Sequence, residues 1–233
     1  MTKEYTMNKT LATFLTGGLS NPSKMPGFSY GLPAGKAPWV PALAKANNMD
    51  IPEHYGCNVG GKLQGVNSST CNACYATKGM YYFKNVKLAQ LRRANSIYND
   101  RWVDAMAFLI NSKRSKYFRW HDSGDIVAMW HLQKIVEVCK LTPTVKHWLP
   151  TREAKLIVDY ENTHGAFPDN LTIRLSATKV DASPPTAWAL TSTVHKDNMP
   201  VDHKCPAPTQ GGECKDCRAC WSDKVKNVSY HIH

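Results

Sequence analysis

Segments with strand-like and helix-like patterns alternate along most of the chain, and this alternation limits the folds that it can adopt. Apolar residues at helical spacing predict helices over residues 85–97, 100–111, 126–140 and 153–162. Short apolar runs bounded by turn residues predict strands over residues 28–32, 117–120, 146–149, 171–176, 189–194 and 228–232. Because this alternation is typical of βαβ units, we expect an α/β fold with a mainly parallel sheet.

The length and composition indicate a single main core. The 233 residues can bury one substantial core, and no long linker interrupts them. We expect an N-terminal arm over residues 1–25, an α/β domain over 26–200 with a cluster-binding loop over 56–75, and a cysteine-rich tail over 201–233. The polar N-terminal segment and the CxxC spacing predict a cytoplasmic protein without disulfides. No apolar run approaches the ~20 residues that cross a bilayer, so we expect no membrane partner.

Seven of the eight cysteines fall into two groups. The first cysteine group is Cys57, Cys71 and Cys74. The second cysteine group is Cys205, Cys214, Cys217 and Cys220, and Cys139 stands apart from both. A CxxC turn brings two thiolates onto one soft metal or one cluster edge, and packing does not require that spacing. The two groups therefore predict two metal sites.

The number of cysteines in each group indicates the kind of site. Three cysteines suit a [4Fe–4S] cluster with one iron open to a ligand, whereas zinc would need a fourth donor such as His54. In the second group, CxxCxxC with a Cys-Pro element favours a closed [4Fe–4S] cluster, with zinc as the alternative. His203 is available there as an extra ligand, although a surface position is the simpler interpretation.

Polar residues cluster where three predicted parallel strands end, which is where such sheets bind ligands. The residues are Arg119, His121, Asp122, Ser123, Asp125, Arg152, Arg174 and Ser176. The catalytic candidates among them are Arg119, His121, Asp122 and Asp125. Tyr75, Asp122, Ser123, Asp125, Arg152, Arg174 and Ser176 are the candidates for binding a cofactor. Helix-capping turns and structural salt bridges are the alternative, and His147 and Trp148 are expected to pack in the core.

The charge balance permits an anionic partner. Lys and Arg total 29 against 18 Asp and Glu, a formal net charge of +11. A nucleic acid, a nucleotide or another small anion would meet this charge. Because no aromatic-interleaved motif of an RNA-recognition type was identified, a solvated basic surface is the alternative.

Four motifs resemble the phage family called gene product 88, itself similar to a distant radical S-adenosylmethionine (SAM) group. They are PGFSYGLPAGK, CNACYA, RWHDSGDI and CPAPTQGGECKDCRACW. Like radical SAM enzymes, the chain has a three-cysteine loop with an aromatic residue, Tyr75, after the last cysteine. That resemblance implies a partial (β/α) barrel-like fold and a cluster held by the first cysteine group. It also implies that SAM binds the open iron through its amino and carboxylate groups and that an electron donor serves the cluster.

Two features differ from the radical SAM pattern and keep a second hypothesis open. Thirteen residues separate Cys57 from Cys71 where those enzymes have three, and HDSGD replaces their glycine-rich motif. The first hypothesis is an iron–sulfur enzyme that acts on a nucleotide, nucleic acid or peptide. The second is a non-catalytic, metal-stapled binding protein, for instance for nucleic acid. A phage-encoded protein would be located in the cytoplasm of the infected host cell.

Overall fold

In the computed structural model, which describes residues 6–232, one seven-stranded sheet forms the centre of the molecule. The strands are β1 Phe28–Tyr30, β2 Tyr117–Trp120, β3 Lys146–Thr151, β4 Leu171–Val180, β5 Thr191–His195, β6 His203–Lys204 and β7 Asn227–His231. The spatial order is β1-β2-β3-β4-β5-β7-β6, and each of these neighbouring pairs is parallel. Five strands thus follow one another in sequence order, as in a partial (β/α) barrel.

Helices connect the strands from β1 to β4 and pack against one face of the sheet. The α-helices are α1 Lys9–Thr16, α2 Val40–Lys45, α3 Asn58–Leu63, α4 Lys84–Ser96, α5 Trp102–Ser112, α6 Met129–Leu141 and α7 Ala154–His164. Strand connections of this kind run through a helix because parallel strands need a long crossover. The predicted α/β class with a mainly parallel sheet is confirmed. No helix within residues 6–232 is long and apolar enough to span a membrane.

The two faces of the sheet have different cores because alternate residues of a strand point to opposite sides. Phe118 and Trp120 of β2 belong to the main core with apolar residues of α5, α6 and α7. On the other face, which we call the inner face, Trp148 of β3 packs with Trp221 and Val228. The C-terminal segment therefore covers the inner face, and the main core lies between sheet and helices.

All four predicted helices and all six predicted strands are present, with ends that differ by up to four residues. The structure also contains elements that the sequence did not predict, namely α1, α2, the short helix α3 inside the loop 56–75, and β6. In the segment predicted to be an arm, α1 buries Ala12 and Leu15 against α5. In the segment predicted to be a tail, β6 and β7 continue the sheet beyond β5. The division into arm, domain and tail stays a prediction.

Candidate functional site

The first cysteine group lies at the carboxyl ends of the strands. Cys57 immediately precedes α3, and its N–H donates to the carbonyl of Gly35, beyond β1, at 2.8 Å. The N–H of Gly35 approaches the Cys57 sulfur at 3.4 Å in return. Next to Cys71, the N–H of Thr70 donates to the carbonyl of Thr178 near the end of β4. These backbone bonds bring both ends of the loop to the same edge of the sheet.

Gly60 leaves open a space between two of these sulfurs. A Cβ built on Gly60 would lie 3.4 Å from the sulfur of Cys71, 3.6 Å from that of Cys57 and only 2.9 Å from the Cys57 Cβ. Any side chain at this position would therefore crowd both cysteines. Two sulfurs facing a cradle that a Cβ would fill fit the requirements of a group bound by cysteine ligands.

Burial raises the pKa of the Cys57 thiol, and nearby Asp125 raises it further, while the Gly35 N–H partly offsets this effect. Cys74 and Cys71 also raise it, so the three thiols of the group are close enough to interact. Burial likewise raises the pKa of Cys71, and Arg152 opposes this shift. Thiols of this kind keep their protons at neutral pH unless a cation replaces them, so binding of a metal would release protons.

Asp125 joins the turn after β2 to the end of β3. Its Oδ1 accepts from the Thr151 hydroxyl at 2.6 Å and from the Ile126 N–H at 2.8 Å. Its Oδ2 accepts from the Arg152 N–H at 2.9 Å. Burial raises the pKa of Asp125, and these hydrogen bonds lower it. The contacts favour a positioning role for this carboxylate, which is also near Cys57.

Tyr75 connects the first cysteine group to the end of β2. Its hydroxyl donates to the Asp122 carbonyl at 2.6 Å and accepts from Arg119 Nη2 at 2.8 Å. The Tyr81 hydroxyl lies 3.2 Å from Asp122 Oδ2, whereas Asp122 Oδ1 is buried without a hydrogen-bond partner among the described residues. Arg119 also lies over the Trp148 ring on the inner face, at 4.6 Å from the ring centre.

Arg152 is the cationic residue at this site that is best suited to contact a ligand. Its Nη2 donates to the Thr70 hydroxyl at 2.7 Å, and its charge influences Cys71. Its Nε is buried and has no partner in the part of the chain that the structure describes. A guanidinium with a spare N–H beside the cysteines can bind a carboxylate or a phosphate.

His121 and Ser123 are both buried in the turn after β2, but their hydrogen bonding differs. His121 is only 3% exposed, and its ring centre lies 5.3 Å from that of His131. Burial lowers the pKa of His121 to about 3, which keeps the ring neutral. The Ser123 hydroxyl donates to the Leu32 carbonyl and accepts from Gln90, both at 2.8 Å. Both ring nitrogens of His121 are buried without a hydrogen-bond partner among the described residues, so its catalytic role stays a prediction. The binding role of Ser123 also stays a prediction, which its two hydrogen bonds do not favour.

The second cysteine group lines one small cavity on the inner face, with a volume of about 10 Å³. His203 lines the same cavity, and its Nε2 lies 3.4 Å from the Cys217 sulfur. The Tyr230 hydroxyl lies 3.1 Å from the Cys220 sulfur. Burial raises the pKa of Cys220 to about 12, and the Tyr230 hydroxyl and Arg174 oppose this shift. The four sulfurs therefore surround one site.

Arg174 anchors the segment that carries the second group. This fully buried side chain donates to six backbone carbonyls, those of Thr191, Ala219, Cys220, Ser222, Val225 and Lys226. With its N–H groups used in this way, the contacts favour a structural role over the predicted ligand role. Ser176 follows on the same face of β4, where its hydroxyl accepts from Ser192 at 3.0 Å.

Two residues that shape the cysteine sites, Gly60 and Tyr230, were not predicted from the sequence. Gly60 follows Cys57 within a Gly-Gly pair, which was a usable signal for a close approach. Tyr230 offered no such signal, because its contact with Cys220 depends on the pairing of β7.

His54, the alternative zinc donor, contacts Glu53 at 3.7 Å. Within residues 6–232, no group of three or more His, Cys, Asp or Glu side chains meets the geometry of a bound metal ion.

Comparison with known proteins identifies a family. A family model described as gene product 88 matches residues 3–223, a range that includes both cysteine groups. No curated protein and no solved structure matches the chain. The sequence-based expectation of this family is confirmed, and the likeness to radical SAM enzymes stays a prediction. The match spans nearly the whole chain, and the protein therefore belongs to the gene product 88 family.

Proposed function

We propose that this phage-family protein is an iron–sulfur protein with two sites of different purpose. Cys57, Cys71 and Cys74 would hold a [4Fe–4S] cluster with one iron available to a ligand. The second cysteine group would hold a closed site. The observation that supports the proposal most directly is the cradle at Gly60, where the sulfurs of Cys57 and Cys71 flank a space at the carboxyl ends of the strands.

The proposed ligand of the first site is a small molecule with a carboxylate and an amino group, of which SAM is the specific candidate. Arg152 supports this proposal because its buried Nε is available to a carboxylate. Asp122 Oδ1, also buried without a partner among residues 6–232, is available to an amino group. When bound, a cluster would supply one-electron chemistry, and the protein would bind, orient and shield the ligand. On this basis we propose an enzyme.

A second candidate function is a metal-stapled binding protein, and the second cysteine group supports it. Six carbonyl contacts from Arg174 join the cysteine-bearing segment to the sheet, as expected of a structural site. The cavity of about 10 Å³ has room for little more than one water-sized group. Zinc therefore stays the alternative to a cluster here, and either metal would contribute to folding.

Metal analysis of anaerobically purified protein tests the proposal. We expect a brown protein with absorbance near about 400 nm and about eight irons per chain if both sites hold [4Fe–4S] clusters. Cys71→Ser should remove about half of the iron, because it removes a ligand from one site only. Cys139→Ala, which alters the cysteine outside both groups, should leave the metal content unchanged. A colourless protein with two zinc ions would exclude the iron–sulfur function.

The SAM proposal has a separate readout. We expect SAM to change the electron paramagnetic resonance spectrum of the dithionite-reduced protein and to yield 5′-deoxyadenosine. Arg152→Gln should weaken this response without loss of iron, because Arg152 is proposed to contact the ligand and not the metal. Arg114→Gln, at an exposed position, serves as the control. An unchanged spectrum and no cleavage product would favour the binding protein instead.

A further inference from the structure

An exposed group of apolar and basic residues lies directly after the first cysteine group. We call it the aromatic–basic surface. Its apolar members are Met80, Tyr82 and Phe83, which are 73%, 65% and 59% exposed. Its basic members, Lys78, Lys84 and Lys87, lie in the same short segment. Large apolar side chains grouped at this exposure indicate a contact surface for a partner.

In the chain segment that carries this surface, the charged side chains are all positive. Residues 54–99 contain no Asp or Glu, although they contain six Lys and Arg residues. Lys84 and Lys87 stand at the beginning of α4, where a positive charge opposes the helix macrodipole. Phe83 at the N-cap position makes no side-chain capping bond. Helix stability therefore does not account for these lysines, whereas an anionic partner does.

The ammonium group of Lys87 lies over two aromatic rings at this surface. The Lys87 Nζ lies 4.5 Å from the centre of the Tyr82 ring and 5.6 Å from that of Trp39. Such contacts hold a cation against the ring faces. A chain of alternating aromatic bases and phosphates is complementary to this pattern, because bases stack on rings while phosphates meet lysines.

The surface also borders the first cysteine group. Tyr75 follows Cys74, and its ring packs edge-on against the ring of Tyr81 at 5.9 Å between centres. Tyr81 is followed directly by the exposed Tyr82 and Phe83. A partner on this surface would therefore lie next to the carboxyl ends of the strands.

We propose that the aromatic–basic surface binds single-stranded nucleic acid. Exposed rings provide sequence-tolerant stacking, and the lysines contact the phosphodiester backbone. Duplexes should bind more weakly because their bases are already stacked inside the helix. This inference goes beyond the proposed function and does not depend on it, because binding requires neither a metal nor SAM.

Fluorescence anisotropy with labelled oligonucleotides of about 20 nucleotides tests this inference on the full chain. The probes are oligo-dT, oligo-rU and a DNA duplex, measured between about 50 and 200 mM salt. We expect both single strands to bind more tightly than the duplex, and comparison of dT with rU distinguishes DNA from RNA. Iron content is measured in parallel, so a failure of binding is distinct from a failure of the proposed function.

Two variants separate stacking from charge. Tyr82→Ala with Phe83→Ala should weaken single-strand binding at least about tenfold, with little change in salt dependence. Lys78→Gln with Lys84→Gln should lower the slope of log affinity against log salt by about 1.4, at about 0.7 for each phosphate contact on a single strand. Phe14→Ala, on the exposed face of α1, and Lys146→Gln, at the amino end of β3, should leave binding unchanged.

Three outcomes would contradict the inference. The first is equal affinity for duplex and single strands with no effect of the aromatic variant, which would indicate charge attraction alone. The second is the absence of oligonucleotide binding at about 50 mM salt. The third is binding to vesicles with anionic lipid headgroups but not to oligonucleotides, which would make the surface a membrane contact.

Discussion

The two cysteine groups lie beside the same sheet but are held in different ways. The first group lies in a loop at the carboxyl ends of the strands, and polar atoms beside it, Arg152 Nε and Asp122 Oδ1, lack partners among the described residues. The second group lies on the inner face, where Trp221 donates to the Phe118 carbonyl at 2.9 Å and Arg174 anchors its segment.

This difference separates two uses of the same ligand type. Spare buried polar atoms at a strand end are costly unless a ligand or water meets them, so the first group has the character of a binding site. The segment of the second group is anchored by Arg174 and packs against aromatic rings, which is the character of a structural site, although Arg119 Nε and Trp148 Nε1 on this face also lack partners among residues 6–232.

Replacement of Arg174 should have the largest effect. Arg174→Met would leave buried carbonyls of residues 219–226 without donors, and we expect a loss of about 3–5 kcal/mol in the free energy of unfolding. Urea denaturation measures this loss. Metal at the second group should be lost while the first group retains its iron. Arg114→Met, at an exposed arginine, should change stability by less than about 0.5 kcal/mol.

A metal content of the Arg174 variant equal to that of the natural protein would contradict the assignment of a structural second site. Arg174→Lys refines the test, because lysine keeps the charge but has three donors instead of five. We expect it to have an intermediate stability. If Arg174→Lys were as stable as the natural protein, the positive charge, and not the carbonyl contacts, would determine the stability.

Gly60→Ala should prevent metal binding at the first cysteine group and leave the second group filled. The new methyl group would lie 2.9 Å from the Cys57 Cβ and 3.4 Å from the Cys71 sulfur, so the space between the sulfurs would close. Because alanine favours helices over glycine by about 1 kcal/mol, weakening of α3 cannot explain the loss. We expect iron to fall by about half. Gly61→Ala is the matched control, because its Cβ comes no closer than 3.4 Å to its nearest neighbour, the Gly35 carbonyl.

Glu153, which contacts the helix after Cys57, should make the free energy of unfolding depend on pH. Burial raises the pKa of this carboxyl from 4.5 to about 7, nearby Asp125 contributes to the rise, and the Val59 N–H, which donates to it at 2.9 Å, opposes it. Since folding then favours the protonated form, stability should decrease as the pH rises from about 5 to about 7. Glu153→Gln keeps the acceptor and should remove this decrease.

Urea denaturation at about pH 5 and about pH 8 measures the effect. The stability of Glu153→Gln relative to the natural protein should increase with pH. Glu213→Gln, at an exposed residue beside the second group, should show no such trend. Identical pH profiles for all three proteins would mean that Glu153 is as solvated in the folded chain as in the unfolded one.

Much of the fold was predictable because its signals are local. The strand over residues 117–120 was predicted with its observed ends, and the helix over 84–96 was predicted one residue late. The helix α3 was missed because its sequence, NVGGKL, contains two poor helix formers. Its formation depends on distant groups, including the Glu153 carboxylate that accepts from Val59. Local propensity cannot report such a contact.

The alternation of strands and helices, the grouping of cysteines and the carboxylate-free segment 54–99 are evident in the chain alone, since each is a property of neighbouring residues. What those residues contact depends on the folded chain. Arg152 and Arg174 both belong to predicted strand ends, yet Arg174 is surrounded by carbonyls of a distant segment while Arg152 retains a buried N–H beside Cys71. The two residues differ because burial and hydrogen bonding depend on which remote chain segment packs against a residue, and residue type alone does not specify that segment.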